Sequence, residues 1–142
     1  MTQYIGKFGE YTALSRLLIN DIEAYPAIKV NQQNYDLTAI TKQGRVVRIE
    51  VKSTELHNSA TNNTIGALAK TFDFLVVVVA QGQKADCYVM THAEAIAIKA
   101  GSLQLGITES RDGKKRVKES IAIHLERWNR IRDFSAPQDS ST

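Results

Sequence analysis

The sequence predicts a single α/β domain in which helices pack against a sheet of about five strands. Three stretches carry this prediction. Residues 6–21 repeat apolar side chains at helical spacing, residues 44–52 alternate apolar and polar side chains, and residues 74–80 are apolar throughout. Such an alternation is typical of a half-buried strand, and the apolar run is typical of a strand inside a sheet. Helical spacing and strand alternation within one short chain indicate helices that pack on a sheet.

Composition predicts one globular domain with its own core. Of the 142 residues, 43% are apolar and 23% are charged, which is ordinary for a folded domain of this size. We assign residues 1–134 to this domain. The last residues, 135–142, are mostly polar, and we expect them to form a disordered C-terminal tail.

Several features predict a cytoplasmic protein with no membrane partner. Met1–Tyr4 has neither the basic nor the apolar region of a secretory signal. The longest apolar run, at residues 74–80, is far shorter than a membrane-spanning helix. A single cysteine, Cys87, excludes an internal disulfide and a cysteine-based zinc site, and this fits a reducing compartment. Because Cys87 lies in an apolar alternation, we expect a core thiol.

The first predicted helix places a carboxylate on its apolar side. The apolar stripe consists of Ala13, Leu14, Leu17, Leu18 and Ile22. Glu10 follows the same helical spacing, and its burial would be unfavourable without a cation or hydrogen-bond donors. We therefore expect Glu10 either at a solvated rim or in a polar site.

The next segments predict strands joined by short turns. Residues 25–30 and 35–40 form strands around a polar turn at 31–34, and residues 41–44 connect the second strand to the strand at 44–52. An antiparallel hairpin would allow Asp36 and Glu50 to lie on one face near the same end. Its register stays open, because the connection can close in more than one way.

The strand at 44–52 carries an acid and a base on one face. Side chains alternate along a strand, so Glu50 and Lys52 project together while Ile49 and Val51 project from the other face. Two interpretations follow. The pair is an exposed ion pair on a sheet surface, or it belongs to a metal-dependent hydrolytic site.

The second half of the chain predicts a loop, a short helix and a hairpin. Residues 53–63 are polar and contain His57, which we expect to be solvated. Residues 64–70 predict a short helix, and residues 72–80 predict an interior strand. A turn at 81–84 then leads into a partner strand at 85–90.

Two features describe the C-terminal part. Thr91 and Glu94 have the capping-box spacing and predict the start of a helix that Gly101 ends. Residues 117–125 fit either a helix or a strand. From Leu125 onward we favour a helix, with Trp128 as a packing anchor.

A basic run follows the capped helix. It contains Arg111, Lys114, Lys115, Arg116 and Lys118, and further arginines stand at 127, 130 and 132. The chain has a net charge of +3 and a pI near 9.0. Such a run is a solvated loop and helix face, or it binds the phosphates of a nucleic acid.

Three short motifs resemble the PD-(D/E)XK nuclease superfamily. They are Gly9-Glu10 in the first helix, Tyr35-Asp36-Leu37 in a strand and Ile49-Glu50-Val51-Lys52 in the next strand. The likeness is greatest to archaeal Holliday junction resolvases and restriction-endonuclease-like proteins, and it covers about the first 55 residues. Tyr35 stands where the proline of the superfamily's name would be.

The resemblance implies a restriction-endonuclease-like core, in which helices flank a mixed sheet of about five strands. It further implies a homodimeric Mg²⁺-dependent endonuclease, with Mn²⁺ as a substitute, that hydrolyses DNA phosphodiester bonds, with branched DNA as a candidate substrate. The implied metal ligands are Asp36, Glu50 and the Val51 carbonyl, a hard oxygen set that suits Mg²⁺.

The remaining roles also come from the resemblance. Lys52 would orient water or stabilise charge on the phosphate, and Glu10 would complete the pocket, directly or through water. Ser53 and the basic run would contact DNA. Two alternatives stay open. One is a non-catalytic nucleic-acid-binding module on the same fold, and the other is an RNA endonuclease with a metal-free triad that contains histidine.

Overall fold

The computed structural model describes residues 3–27, 35–56, 63–66, 68 and 71–135. Their elements, in chain order, are α1 (Ile5–Ile19), β1 (Glu23–Pro26), β2 (Leu37–Ile40), β3 (Val46–Glu55), β4 (Thr64–Ile65), β5 (Phe74–Gln81), β6 (Lys84–Thr91), α2 (His92–Lys99), β7 (Leu105–Gly106), β8 (Thr108–Arg111), β9 (Lys114–Val117), α3 (Glu119–Ala122) and α4 (Asn129–Arg132). Within these residues, no helix is both long and apolar enough to cross a membrane.

A five-stranded mixed sheet forms the centre of the fold. Its strand order is β1-β2-β3-β5-β6, with β3 and β5 parallel and every other neighbouring pair antiparallel. The register pairs Leu37 with Ile49 across β2 and β3, and Ile49 with Phe74 across β3 and β5. The prediction of an α/β fold with a mixed sheet of about five strands flanked by helices is confirmed.

Each face of the sheet packs into its own apolar cluster. The alternation of β5 divides the two, because Val76 and Val78 point towards α1 whereas Leu75 and Val77 point towards the opposite layer. On the first face the sheet contacts α1 and α4. On the second face it contacts α2, α3 and β7.

Several predicted elements occur as expected. The helix at 6–21 is α1, the hairpin of β2 and β3 is antiparallel, and the strands at 72–80 and 85–90 are β5 and β6. The capping box is also confirmed. Thr91 Oγ1 accepts from the Glu94 N–H at 3.1 Å, and Glu94 Oε1 accepts from the Thr91 N–H at 2.8 Å.

Other predictions are wrong in part. Residues 53–55 belong to β3 rather than to a loop, because they pair with the buried strand β5 despite their polar side chains. Residues 64–65 form β4, which pairs with β7, and not the start of a helix. Leu18 is exposed, since it lies beyond the edge of the helix stripe that the sheet covers.

The C-terminal predictions also need correction. Ala100, with a φ of 53°, ends α2, and not Gly101. Leu125 forms a bridge with Tyr88, and the last helix begins only at Asn129. Trp128 is buried, so its role as a packing anchor is confirmed. The predicted turn at 31–34, the loop containing His57 and the tail from residue 136 lie outside the described residues.

One partly buried network ties α1 to the C-terminal segment. Arg16 Nη1 lies 2.7 Å from Glu126 Oε2, and the same oxygen accepts from the Cys87 N–H at 2.8 Å. The other oxygen of Glu126 accepts from Trp128 Nε1 at 2.8 Å. Glu126 itself has a φ of 51°, an unfavourable conformation that these contacts stabilise.

Candidate functional site

Asp36 lies against β3 immediately before β2 begins. Its backbone N–H donates to the Ile49 carbonyl at 2.8 Å, and its Oδ2 accepts from the Val51 N–H at 2.8 Å. The carboxylate therefore takes the position that the next backbone carbonyl of a longer β2 would occupy. This arrangement fixes Asp36 beside Val51. The sequence could not predict this neighbour, because it left the register of the hairpin open.

The Val51 carbonyl points into the same region. In a strand, the N–H and C=O groups of one residue point towards the same neighbouring strand. The Val51 N–H points to Asp36, so its carbonyl also points to the side on which β2 has ended. The end of β2 thus brings a carboxylate and a backbone carbonyl together at one edge of β3.

Glu50 and Lys52 project from the face opposite Val51, next to Leu75 and Val77 of β5. Lys52 Nζ lies 3.4 Å from Glu50 Oε1, and only 9% of the Glu50 side chain is exposed. A carboxylate this buried requires compensating charge or donors. The alternative interpretation of an exposed ion pair does not hold for Glu50.

Glu10 lies on the α1 face of the sheet. The adjacent Gly9 packs on Ser53 so closely that a Cβ at Gly9 would overlap the Ser53 Oγ. Glu10 Oε2 is 3.9 Å from Lys7 Nζ, and 20% of its side chain is exposed. Of the two expected locations, Glu10 therefore has the partly solvated one, beside the C-terminal half of β3.

The Ser53 hydroxyl faces α1 and not the solvent. Its Oγ is buried and has no hydrogen-bond partner among the residues that the structure describes. A contact between this hydroxyl and a phosphate stays a prediction.

The predicted site residues thus contact adjacent positions of β3. Asp36 binds the Val51 N–H, and Glu50 and Lys52 contact each other on the face opposite the Val51 side chain. Glu10 belongs to α1, which covers the other face of the sheet. In the described part of the chain, which includes all three acids, no three Asp, Glu, His or Cys side chains lie close enough together to hold a metal ion.

Most of the basic run forms the β8–β9 hairpin and not a loop and helix face. Its turn contains Asp112 and Gly113, with φ values of 52° and 76°. Arg111 lies directly opposite Lys114. Arg116 donates to Glu109 Oε2 from Nε at 3.1 Å and from Nη2 at 3.0 Å.

Two later arginines have structural partners. Arg130 Nη2 lies 2.7 Å from Glu94 Oε1, and Arg132 Nη2 donates to the Asn20 carbonyl at 2.8 Å. Burial alone would raise the pKa of Glu94, but hydrogen bonds from Thr91 and Arg130 outweigh it and lower that pKa. These arginines hold the C-terminal segment in place.

The described histidines also have structural contacts. The His92 ring lies 4.7 Å from the Phe72 ring, and His124 Nδ1 lies 3.2 Å from Arg130 Nη1. Burial and the nearby arginines lower the pKa of His124, although Glu94 opposes them.

Asp73 is a residue that sequence reasoning missed. Its Oδ2 accepts from the Arg48 N–H at 2.8 Å, and its own N–H donates to the Arg48 carbonyl at 2.8 Å. Asp73 precedes β5 as Asp36 precedes β2, and both carboxylates bind the backbone of β3. The sequence signal that could have identified Asp73 is an acidic residue directly before a predicted strand.

Comparison with known proteins supports the fold. No protein-family model and no curated protein sequence matches this chain. A solved structure described as a bacterial homing endonuclease, I-Ssp6803I, is similar with a TM-score of 0.70 and 20% sequence identity. The similarity covers 100% of this chain and 99% of that one. The chain therefore shares the fold of that structure.

Proposed function

We propose that this chain is a metal-dependent endonuclease that hydrolyses DNA phosphodiester bonds, in the PD-(D/E)XK superfamily. One observation carries the proposal. Asp36 is fixed to Val51 of β3, and the neighbouring buried Glu50 pairs with Lys52, whose side chain is one-third exposed. The fold shared with a protein described as a homing endonuclease adds support.

The donor set suits a hard divalent cation. The Val51 N–H occupies only part of the acceptor capacity of the Asp36 carboxylate. Asp36, Glu50 and the Val51 carbonyl would then offer oxygen ligands, while Mg²⁺ or Mn²⁺ would retain several waters. When bound, such an ion makes water more acidic and neutralises charge on the scissile phosphate.

The chain's own residues have distinct roles in this proposal. Lys52 orients the attacking water or stabilises negative charge as it develops on the phosphate. Glu50 holds the Lys52 ammonium in place at 3.4 Å. Glu10 would act through water, because α1 covers the sheet face opposite the one from which Glu50 and Lys52 project.

The proposed substrate is duplex or branched DNA in the cytoplasm. Cleavage of two strands requires two sites, and a two-fold symmetric homodimer would supply them. The cations at 111, 114, 115, 116 and 118 would contact the DNA.

The direct test incubates the protein with supercoiled, linear and four-way-junction DNA in Mg²⁺, Mn²⁺ or EDTA. We expect cleavage with either metal and none in EDTA. Asp36→Asn and Glu50→Gln should each reduce the cleavage rate at least about 100-fold, because each replaces a charged metal ligand with a neutral side chain of the same shape. Asp21→Asn, at an exposed position on another edge of the domain, is the matched control and should cleave normally.

Two results would contradict the proposal. One is cleavage that persists in EDTA, and the other is full activity in both Asp36→Asn and Glu50→Gln. Homodimerisation is checked separately by sedimentation with and without a four-way junction.

A non-catalytic nucleic-acid-binding module is the second candidate. The observation in its favour is that no three metal-binding side chains cluster among the described residues. DNA binding without cleavage under any metal condition would favour this module.

A further inference from the structure

The β8–β9 hairpin is a two-stranded antiparallel ribbon with a polar outer face. Positive φ values at Asp112 and Gly113 are those of a type I′ turn, which matches the natural twist of such a ribbon. Thr108 and Val117 pair at its base, where Thr108 is fully buried and Val117 packs against the second apolar cluster. The ribbon is therefore fixed at one end and projects at the other.

The base of the ribbon is attached to the strand that carries the candidate site. Thr108 Oγ1 accepts from the Asn63 N–H at 2.6 Å, and Asn63 Nδ2 donates to Thr54 Oγ1 at 2.7 Å. Thr54 lies two residues beyond Lys52 on β3, and by alternation it projects from the same face. Two strand residues span roughly 7 Å, so the base of the ribbon is attached to β3 close to Lys52.

Two like charges face each other on the outer face of the ribbon. Arg111 and Lys114 are directly opposite one another on the outer face, and both are exposed. Like charges at paired positions destabilise an antiparallel ribbon. A polyanion would relieve this repulsion, which indicates phosphate contacts near the tip.

Arg116 differs from these two cations because its side chain is already oriented. Glu109 binds its Nε and one Nη2 hydrogen through a single carboxylate oxygen. A guanidinium has five N–H donors, so the end formed by Nη1 and the second Nη2 hydrogen can still donate in a planar fork. The Arg116 side chain is 44% exposed, which leaves this end accessible.

We infer that the β8–β9 ribbon enters the major groove of duplex DNA and that Arg116 recognises a guanine there. The inference rests on the proposed function for its ligand, and it adds a sequence preference. A two-stranded ribbon fits the roughly 12 Å width of this groove, and an arginine fork matches the O6 and N7 acceptors of guanine. Arg111 and Lys114 would contact the flanking phosphates.

The test selects bound sequences from a randomised duplex DNA pool, with EDTA present so that cleavage does not interfere. The wild-type chain should enrich a motif that contains a fixed guanine. Arg116→Lys keeps the charge but lacks the fork, so it should lose roughly 5- to 150-fold of discrimination at that position. Glu109→Gln should weaken the same preference, because it removes the charge that orients Arg116.

Control variants separate base recognition from charge. Lys114→Ala should leave the motif intact, weaken binding to all sequences and reduce the slope of log K against log salt by about 0.9. Lys42→Ala, at an exposed position of the β2–β3 turn, should change neither the motif nor the affinity.

The outcomes distinguish this inference from the proposed function. Binding without any enriched motif, or an unchanged motif in Arg116→Lys, overturns the inference alone. A normal motif together with no metal-dependent cleavage overturns the endonuclease proposal alone. If the protein binds four-way-junction DNA but no linear duplex, the inference alone is wrong, and if it binds neither, both are wrong.

Discussion

Gly9 of α1 lies directly against Ser53 of β3, and this contact sets the distance between the first helix and the sheet. A Cβ at Gly9 would overlap the Ser53 Oγ and lie 2.9 Å from the Ser53 Cβ. Real Cβ atoms do not approach one another so closely, so a larger residue would displace α1. Because Glu10 is the next residue, the same contact also positions the helical carboxylate of the candidate site.

The first prediction concerns this contact. Gly9→Ala should destabilise the fold by about 1–3 kcal/mol, because it overpacks the interface between α1 and β3. Gly6→Ala is the matched control. A Cβ there has no atom within 4 Å, so the substitution should stabilise the helix by up to about 1 kcal/mol. Urea denaturation checks both values, and equal effects of the two substitutions would contradict the prediction.

The second prediction separates two roles of Asp36. Asp36→Asn retains an oxygen that can accept from the Val51 N–H, so the free energy of unfolding should change by less than about 1 kcal/mol while cleavage is lost. Asp36→Ala leaves that N–H without its acceptor and should cost about 1–3 kcal/mol as well. Thermal denaturation and a nicking assay, run on the same preparations, measure the two effects. Equal stability of the two variants would show that the hydrogen bond at 2.8 Å contributes nothing.

The third prediction concerns the thiol of Cys87. Burial and the nearby Glu126 carboxylate together raise its pKa to about 12, against a smaller opposing effect of the Arg16 guanidinium. At pH 8 only about one thiol in 10⁴ is then ionised. Iodoacetamide should therefore leave the native protein unmodified and label it fully in 6 M guanidinium, as read by intact mass. Rapid labelling of the native chain would show that the segment around Glu126 opens frequently.

The fourth prediction follows from the lowered pKa of Glu94. A carboxylate with a folded-state pKa below its ordinary value stabilises the fold above that ordinary value, and this contribution is lost as the pH falls through the folded-state pKa. Glu94→Gln should therefore destabilise the protein by about 0.5–1 kcal/mol at pH 7, because solvent screens the partly exposed ion pair with Arg130. The difference from wild type should shrink between pH 5 and pH 3.

Chemical denaturation at several pH values measures this difference. Glu119→Gln, at an exposed position of α3, is the control and should stay within about 0.5 kcal/mol of wild type at pH 7. If the difference between Glu94→Gln and wild type stays constant down to pH 3, the negative charge of Glu94 does not contribute to stability and the prediction is wrong.

The sequence patterns predicted the elements whose apolar residues repeat regularly. Alternation placed Glu50 and Lys52 on one face, and helical spacing identified the buried side of α1. Ser53 and Thr54 were assigned to a loop because they are polar, although pairing with the buried strand β5 overrides that local preference. The pairing of β4 with β7 could not be predicted, because two-residue strands have no period and their partners are about 40 residues apart.

The candidate site was predicted as a set of residues and not as a geometry. No sequence pattern indicates that the Asp36 carboxylate bonds to the backbone of Val51, because the length of the connection does not fix the register. The hydrogen bond from Arg116 to Glu109 could not be predicted either, because it forms across a hairpin whose charged sequence indicated a loop and helix face. Tertiary contacts, and not residue type, decide these cases.

The ion pair between Arg16 and Glu126 joins residues that are 110 positions apart. A ribosome adds about 5–20 residues per second, so Arg16 is added to the chain roughly 5–22 s before Glu126. During this interval the helix that carries Glu10 lacks the contacts that hold it to the C-terminal segment. The first helix thus gains this contact only after Glu126 has been made, and a proposed nuclease built in this way would acquire its activity no earlier than that.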